Sequence, residues 1–111
     1  MKYTILWSKN AKDELLEIIR SIKARSGTEI AKQIYERIQF QLTRIDEFPN
    51  SLRAVPELNE IGVSEIKEFI ESPWRIFCKI MNNEIRVLSI IDGRRNVEEI
   101  LYKKVIEGKL T

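Results

Sequence analysis

The side chains best suited to acid–base chemistry at neutral pH are missing, since the chain holds no histidine and a single cysteine, Cys78. Without histidine the usual general base and the commonest metal ligand are both absent. One cysteine can build neither a zinc site nor an internal disulfide, so no metal and no cofactor is expected. Gly27, Gly62, Gly93 and Gly108 are isolated from one another, which leaves no glycine-rich cradle for a phosphate. What remains is basic. Between residues 74 and 95, Arg75, Lys79, Arg86, Arg94 and Arg95 are set against only Glu84 and Asp92, with Arg53 and Lys67 upstream. Guanidinium forks suit phosphate and carboxylate groups. A net charge of +2 is too small for indiscriminate attraction of nucleic acid, so any basic site must be local.

These residues need a scaffold that gathers them. In Trp74–Met81 the strand period of two puts Arg75, Phe77, Lys79 and Met81 on one face. Trp74, Ile76, Cys78 and Ile80 fall on the other, the expected core set, where Cys78 is inert packing. The first face is expected to be an open docking surface. Arg94 and Arg95 would join it at the exit of the neighbouring strand, and Arg53 and Lys67 across the sheet. Glu57, Glu60, Glu65 and Glu68 fall on a loop and an expected edge strand, so solvent exposure is expected for all of them.

The elements follow from local pattern. Tyr3–Trp7 is β-branched and aromatic and predicts a first strand. Ser8 and Asn10 can cap a helix, in which Ala11, Leu15, Ile18, Ile19 and Ile22 form one apolar stripe. Ser26-Gly27-Thr28 breaks it. Ile30, Ile34, Ile38, Leu42 and Ile45 make a second stripe that runs to Phe48 before Pro49, and so short a break predicts an antiparallel helical hairpin. Residues 49–62, with Pro49, Pro56 and Gly62, read as loop. Three strands follow, at Val63–Glu71, Trp74–Met81 and Ile85–Ile91, joined at Ser72-Pro73 and Asn82-Asn83. Ile85–Ile91 is apolar on both faces and is expected to be central. Asn96 and Glu99 resemble a capping box opening a last helix from Val97 to about Glu107. The expected fold is α+β, in the order β-α-α-β-β-β-α. The hairpin covers one face of a mostly antiparallel sheet, and the first strand pairs in parallel with Ile85–Ile91.

At 111 residues, 43% apolar and 32% charged, the chain predicts one globular domain spanning 1–111. The lone cysteine fits a reducing compartment. The start has an apolar run shorter than a signal peptide's, and no stretch approaches the ~18 apolar residues of a membrane helix. A cytoplasmic protein without membrane contact is expected.

Three segments carry a resemblance. Leu52-Arg53-Ala54-Val55-Pro56-Glu57-Leu58 is similar to Arg-x-Val-Pro-Glu. Ile66-Lys67-Glu68-Phe69-Ile70-Glu71-Ser72-Pro73-Trp74-Arg75-Ile76-Phe77-Cys78-Lys79-Ile80 resembles Ile-Arg-Glu-Leu-x-x-x-Pro-Tyr-Arg-Ile-x-Tyr-Arg. Val87-Leu88-Ser89-Ile90-Ile91-Asp92-Gly93-Arg94-Arg95 is similar to an apolar strand ending in His-Gly-Arg-Arg. In this order and behind these helices, all three resemble the patterns of the RelE/ParE toxin superfamily, and the resemblance spans essentially the whole chain. It implies a toxin of a type II toxin–antitoxin module, neutralised in a hetero-oligomer by a cognate antitoxin. An amphipathic antitoxin segment would lie in a groove on the toxin.

Three activities are compatible with that resemblance. A ParE-like toxin inhibits DNA gyrase without hydrolytic chemistry. A RelE-like toxin is a metal-independent endoribonuclease that cuts mRNA on the ribosome. In that case Arg75 and Arg95 would hold the phosphate, with Tyr102 or Lys79 moving protons. A third possibility is an inactive toxin-like partner of an antitoxin or repressor. In either active form Arg53, Lys67, Arg75, Lys79, Arg94 and Arg95 are the candidate contacts to target or nucleic acid. Lys67 stands alone among Glu65, Glu68 and Glu71, where RelE-like enzymes are lysine-rich. With the long hairpin and the Val-Pro-Glu segment, this favours the ParE-like branch.

Overall fold

A computed structural model describes residues 3–111; Met1 and Lys2, part of the short apolar start, lie outside them. Strand β1 (Thr4–Trp7) leads into helices α1 (Lys9–Ser26) and α2 (Thr28–Glu47). Ser8 caps α1, its hydroxyl oxygen accepting from the Ala11 N–H. Gly27, at φ 92°, turns the chain between the helices, a conformation that costs little without a Cβ. After α2 come a 3-10 turn (Pro49–Ser51), β2 (Arg53–Ala54) and α3 (Pro56–Asn59). The meander follows as β3 (Ile66–Glu71), β4 (Trp74–Met81) and β5 (Glu84–Asp92), and α4 (Val97–Ile106) closes the chain. Asn82 takes a positive φ of 57° in the β4–β5 turn, as Asn tolerates. No helix among the described residues is long and apolar enough to cross a membrane.

The five strands run in the order β1-β5-β4-β3-β2. As expected, β1 pairs in parallel with β5 and the remaining pairs are antiparallel. Two features depart from the sequence reading. The segment 49–62 is not a plain loop, because it supplies β2 and α3. And β3, which begins at Ile66 and not at Val63, is not the sheet edge along its first half, where Arg53 pairs with Glu68 and Ala54 with Lys67.

Each face of the sheet has its own core. On one, the helical hairpin packs Ala11, Ile22, Ile38 and Leu42 against Trp74, Ile76, Cys78 and Val87. On the other, α3 and α4 lay Leu58, Val97 and Leu101 over Ile66, Phe77, Leu88 and Ile91. The face of Arg75 and Phe77 is thus not an open surface. Phe77 is 0% exposed. The parity of β4 is as predicted, but the sequence period does not say what covers a face, and here two short segments distant in sequence do so.

Where β1 ends, the outer edge of β5 would leave backbone groups unpaired. Side chains of the α1 cap and its first turns take over. The Ser8 hydroxyl and the Asn10 amide donate to the Leu88 carbonyl, and the Glu14 carboxylate accepts from the Ile90 N–H at 3.1 Å and the Ser89 hydroxyl at 2.8 Å. Lys104 of α4 reaches the same carboxylate at 2.9 Å. One acidic residue therefore ties helix, strand end and closing helix together.

Candidate functional site

Arg75 leaves the middle of the sheet beneath α3. The antiparallel register pairs it with Ile70, which places Glu68 diagonally opposite, within reach of a long side chain. Its Nε and Nη2 donate to Glu68 at 2.7 and 3.0 Å. Nη1 and Nη2 also donate to Glu57, in the first turn of α3, at 2.7 and 2.9 Å. The guanidinium carbon lies 5.4 Å from the centre of the Phe77 ring. Arg53, across β2, adds a 3.3 Å contact to Glu68.

Glu68 is fully buried, at 0% exposure, and Glu57 is partly covered. The expected exposure of both is therefore corrected. Glu68 is buried because β2 shields its strand, and Glu57 is half-buried because Val-Pro-Glu starts a helix that packs on the sheet. The hydrogen bonds to Glu57 and then to Glu68 hold the Arg75 pKa above its ordinary value. In return the Arg75 guanidinium holds the Glu57 carboxyl below its ordinary value, against the partial desolvation that would raise it. With four hydrogen bonds made, Arg75 keeps one N–H for any ligand.

The other predicted residues are scattered. Lys79 pairs with Ile66 in register and shares the Arg75 face. Lys67 pairs with Cys78, which belongs to the hairpin-side core, and so lies on the opposite face. Arg94 and Arg95 line a concavity of about 260 Å³ beside Trp74, between α1 and the exit of β5. Arg75 and Arg95 therefore do not converge on one pocket. Arg94 donates from Nη2 to Asp92 at 2.7 Å, and this pair holds the Asp92 carboxyl below its ordinary value. Tyr102, on α4, has its hydroxyl pushed above the ordinary phenol value by partial desolvation and by Glu98, Glu60 and Glu57. Its surroundings are acidic. Gly93 is demanded by space. Its N–H donates to the Pro73 carbonyl at 2.7 Å, and a Cβ there would stand 2.9 Å from that oxygen.

Sequence reasoning missed Glu57, Glu68 and Glu14 as the anchors of these networks. A signal was present for Glu68. A turn at Ser72-Pro73 pairs Glu71 with Trp74, and the resulting register sets Glu68 and Arg75 on one face. Among the described residues no group of three or more acidic or cysteine side chains is placed to hold a metal ion.

The sequence model of a family described as the ParE toxin of the type II toxin–antitoxin system parDE matches residues 5–97. The chain belongs to the ParE toxin family. Its match takes in the hairpin and all of the sheet but Thr4, while most of α4, Tyr102 included, lies beyond it. This ParE-family chain is 23% identical over 100 residues to Toxin ParE3 of Caulobacter vibrioides, across 90% of its own length and 96% of that protein's. Its fold is similar to that of a chain in the chromosomal ParDE system from P. aeruginosa, with a TM-score of 0.66 at 19% identity, covering 82% of this chain and 96% of that one. It is also similar to a chain of the RelBE2 toxin–antitoxin complex from Mycobacterium tuberculosis, with a TM-score of 0.55 at 10% identity, covering 83% and 99%. The protein is thus a ParE-family toxin of the type II class on a RelE/ParE-like fold.

Proposed function

We propose that this toxin arrests growth by docking on DNA gyrase in the cytoplasm, without cutting nucleic acid, and that a cognate antitoxin restrains it in a hetero-oligomer. The observation that carries the non-hydrolytic reading is the state of Arg75. A cation that stabilises a scissile phosphate must present free donors and positive potential to it. Arg75 spends four hydrogen bonds on two carboxylates, and a phosphate approaching it would meet the charge of Glu57. Tyr102 stands among Glu57, Glu60 and Glu98, a poor setting for a polyanion. Arg95, the other candidate phosphate ligand, lines a concavity on the hairpin side.

What supports docking is the outer surface. Phe40 is 64% exposed and Phe48 60%, large aromatic side chains of the type enriched where proteins meet. We assign Arg53, Lys67, Lys79, Arg94 and Arg95 to target contacts and Arg75 to holding α3 against the sheet. For the antitoxin, a groove of about 390 Å³ lined by Trp7, Leu15, Leu16, Ile19 and Tyr35 suits the apolar side of an amphipathic segment.

The test is induction of the chain in a bacterial host, with plasmid topology and message integrity followed together. Relaxed plasmid and a DNA-damage response with intact messages are expected. Codon-phased cuts inside translated messages, lost in Arg95→Ala, would overturn the reading in favour of the ribonuclease. Normal growth at high induction would leave an inactive partner.

A further inference from the structure

We infer that the notch between α1 and the exit of β5 receives an acidic segment of the antitoxin, which sets a carboxylate on Arg25 and Arg95 and an apolar side chain against Trp74. The inference rests on the toxin–antitoxin reading above and assigns a chemistry to one part of that contact.

The notch holds about 260 Å³, less than the ~300–1,000 Å³ of sites that enclose a small-molecule ligand. It has room for an anchoring side chain. Three guanidinium groups border it, from Arg25, Arg94 and Arg95, and they differ in occupancy. Arg94 is held by Asp92. Among the described residues Arg25 and Arg95 make no ion pair, and the only side-chain hydrogen bond of Arg25 is a long one, 3.5 Å, to the Ser21 carbonyl. Two exposed, unspent forks therefore flank an aromatic floor, an arrangement matched to a carboxylate beside an apolar residue.

The same border argues against a nucleic-acid strand. Glu14, Glu17 and Asp92 also line the notch, Glu14 paired with Lys104 and Asp92 with Arg94. A phosphate chain carries a charge on every nucleotide and could not avoid them, whereas a peptide can place one carboxylate on the arginines and neutral residues beside the acids. The shape points the same way. A recess between a helix and a strand exit is entered by a narrow segment, while a broad folded target meets only its rim.

The experiment uses the full chain and the product of an adjacent gene that encodes a small protein with an acidic, amphipathic segment; a gene with no such neighbour counts against both readings. Trp7 lines the apolar groove given above to the antitoxin and is left in place; the Trp74 share of the indole emission is the difference between the unaltered chain and Trp74→Phe. Binding is followed by Trp74 emission and by calorimetry at two salt concentrations. In the double variant Arg25→Ala/Arg95→Ala the affinity should fall about tenfold or more, with a shallower salt dependence and a smaller emission change. Arg37→Ala, on the far side of α2, should bind as the parent does. Both arginines are exposed, so the fold should survive, and urea unfolding of the double variant checks this. A complex that forms with unchanged affinity and emission overturns the inference while the toxin–antitoxin reading stands. If the neighbouring protein does not bind the parent chain, both fall. If a single-stranded oligonucleotide shifts Trp74 emission and the double variant abolishes that shift, the notch belongs to nucleic acid and the assignment to a peptide is wrong.

Discussion

Replacing Arg75 by methionine should destabilise the fold by about 3–5 kcal/mol, the cost of leaving a buried charge without its partner. Glu68, at 0% exposure, would lose the bonds at 2.7 and 3.0 Å and keep only the 3.3 Å contact to Arg53, whose side chain is 61% exposed. Glu57 can turn to water and should add little. Against the ~5–15 kcal/mol that holds a domain of this size together, that loss is a large share. With a urea dependence of about 2 kcal/mol per molar it would move the unfolding midpoint down by roughly 2 M. The double variant Arg75→Met/Glu68→Leu removes both charges and should recover most of the loss, because an apolar pair of similar volume needs no compensation. Acid unfolding adds a signed test. The Arg75 guanidinium depresses the folded Glu57 carboxyl below its ordinary value of 4.5. Its contribution is therefore present above that value and is lost as pH falls through the lower folded one, a limb that should shrink in Arg75→Met. A single variant losing under ~1 kcal/mol, or a double variant no better than the single, would refute the buried-network argument. A well-folded double variant that no longer arrests growth would return Arg75 to the functional surface.

Three further outcomes follow from the packing. Burial pushes the Cys78 thiol up to about 12, so it should resist thiol reagents in the native state and react at the rate of global unfolding; fast labelling of folded protein would contradict its place in the core. Glu14→Leu strips the Ile90 N–H of its partner and the mostly buried Lys104 of its counter-charge. The expected cost is on the order of 3 kcal/mol, with faster amide exchange at Ile90, and unchanged exchange there would be inconsistent with the edge cap. Gly93→Ala must displace the Pro73 carbonyl, now 2.9 Å from where the new carbon would sit. Thermal melts should report a loss of about 1–3 kcal/mol, and a neutral result would mean that the β4 turn yields easily.

The candidate site was legible in its residues and not in its assembly. Arg75, Arg94, Arg95 and Trp74 stand out from composition, and the strand period assigned Arg75 and Trp74 to opposite faces as the structure does. The gathering of the basic residues into one open face was wrong, because Lys67 and Arg95 fall on the hairpin side and Arg75 on the other. Strand parity orders residues within a strand, but residues past a strand's end, such as Arg94 and Arg95, follow the turn that Gly93 makes against Pro73.

By itself the sequence determined whatever depends on neighbours a few residues apart. That includes both long helices with their Ser8 cap and Gly27 break, the turns at Ser72-Pro73 and Asn82-Asn83, the three-strand meander, and the capped helix from Val97. The antiparallel strand pairs and the parallel pairing of β1 followed from connection lengths. Tertiary structure alone decided that α3 and α4 seal the second face, and that Glu57 and Glu68 meet on Arg75. It also decided that Glu14 completes an edge with a residue of α4. The reason is physical. Helix and strand patterns are written in short-range sterics and periodicity, whereas the burial of a charge depends on segments tens of residues away that bring both its cover and its partner.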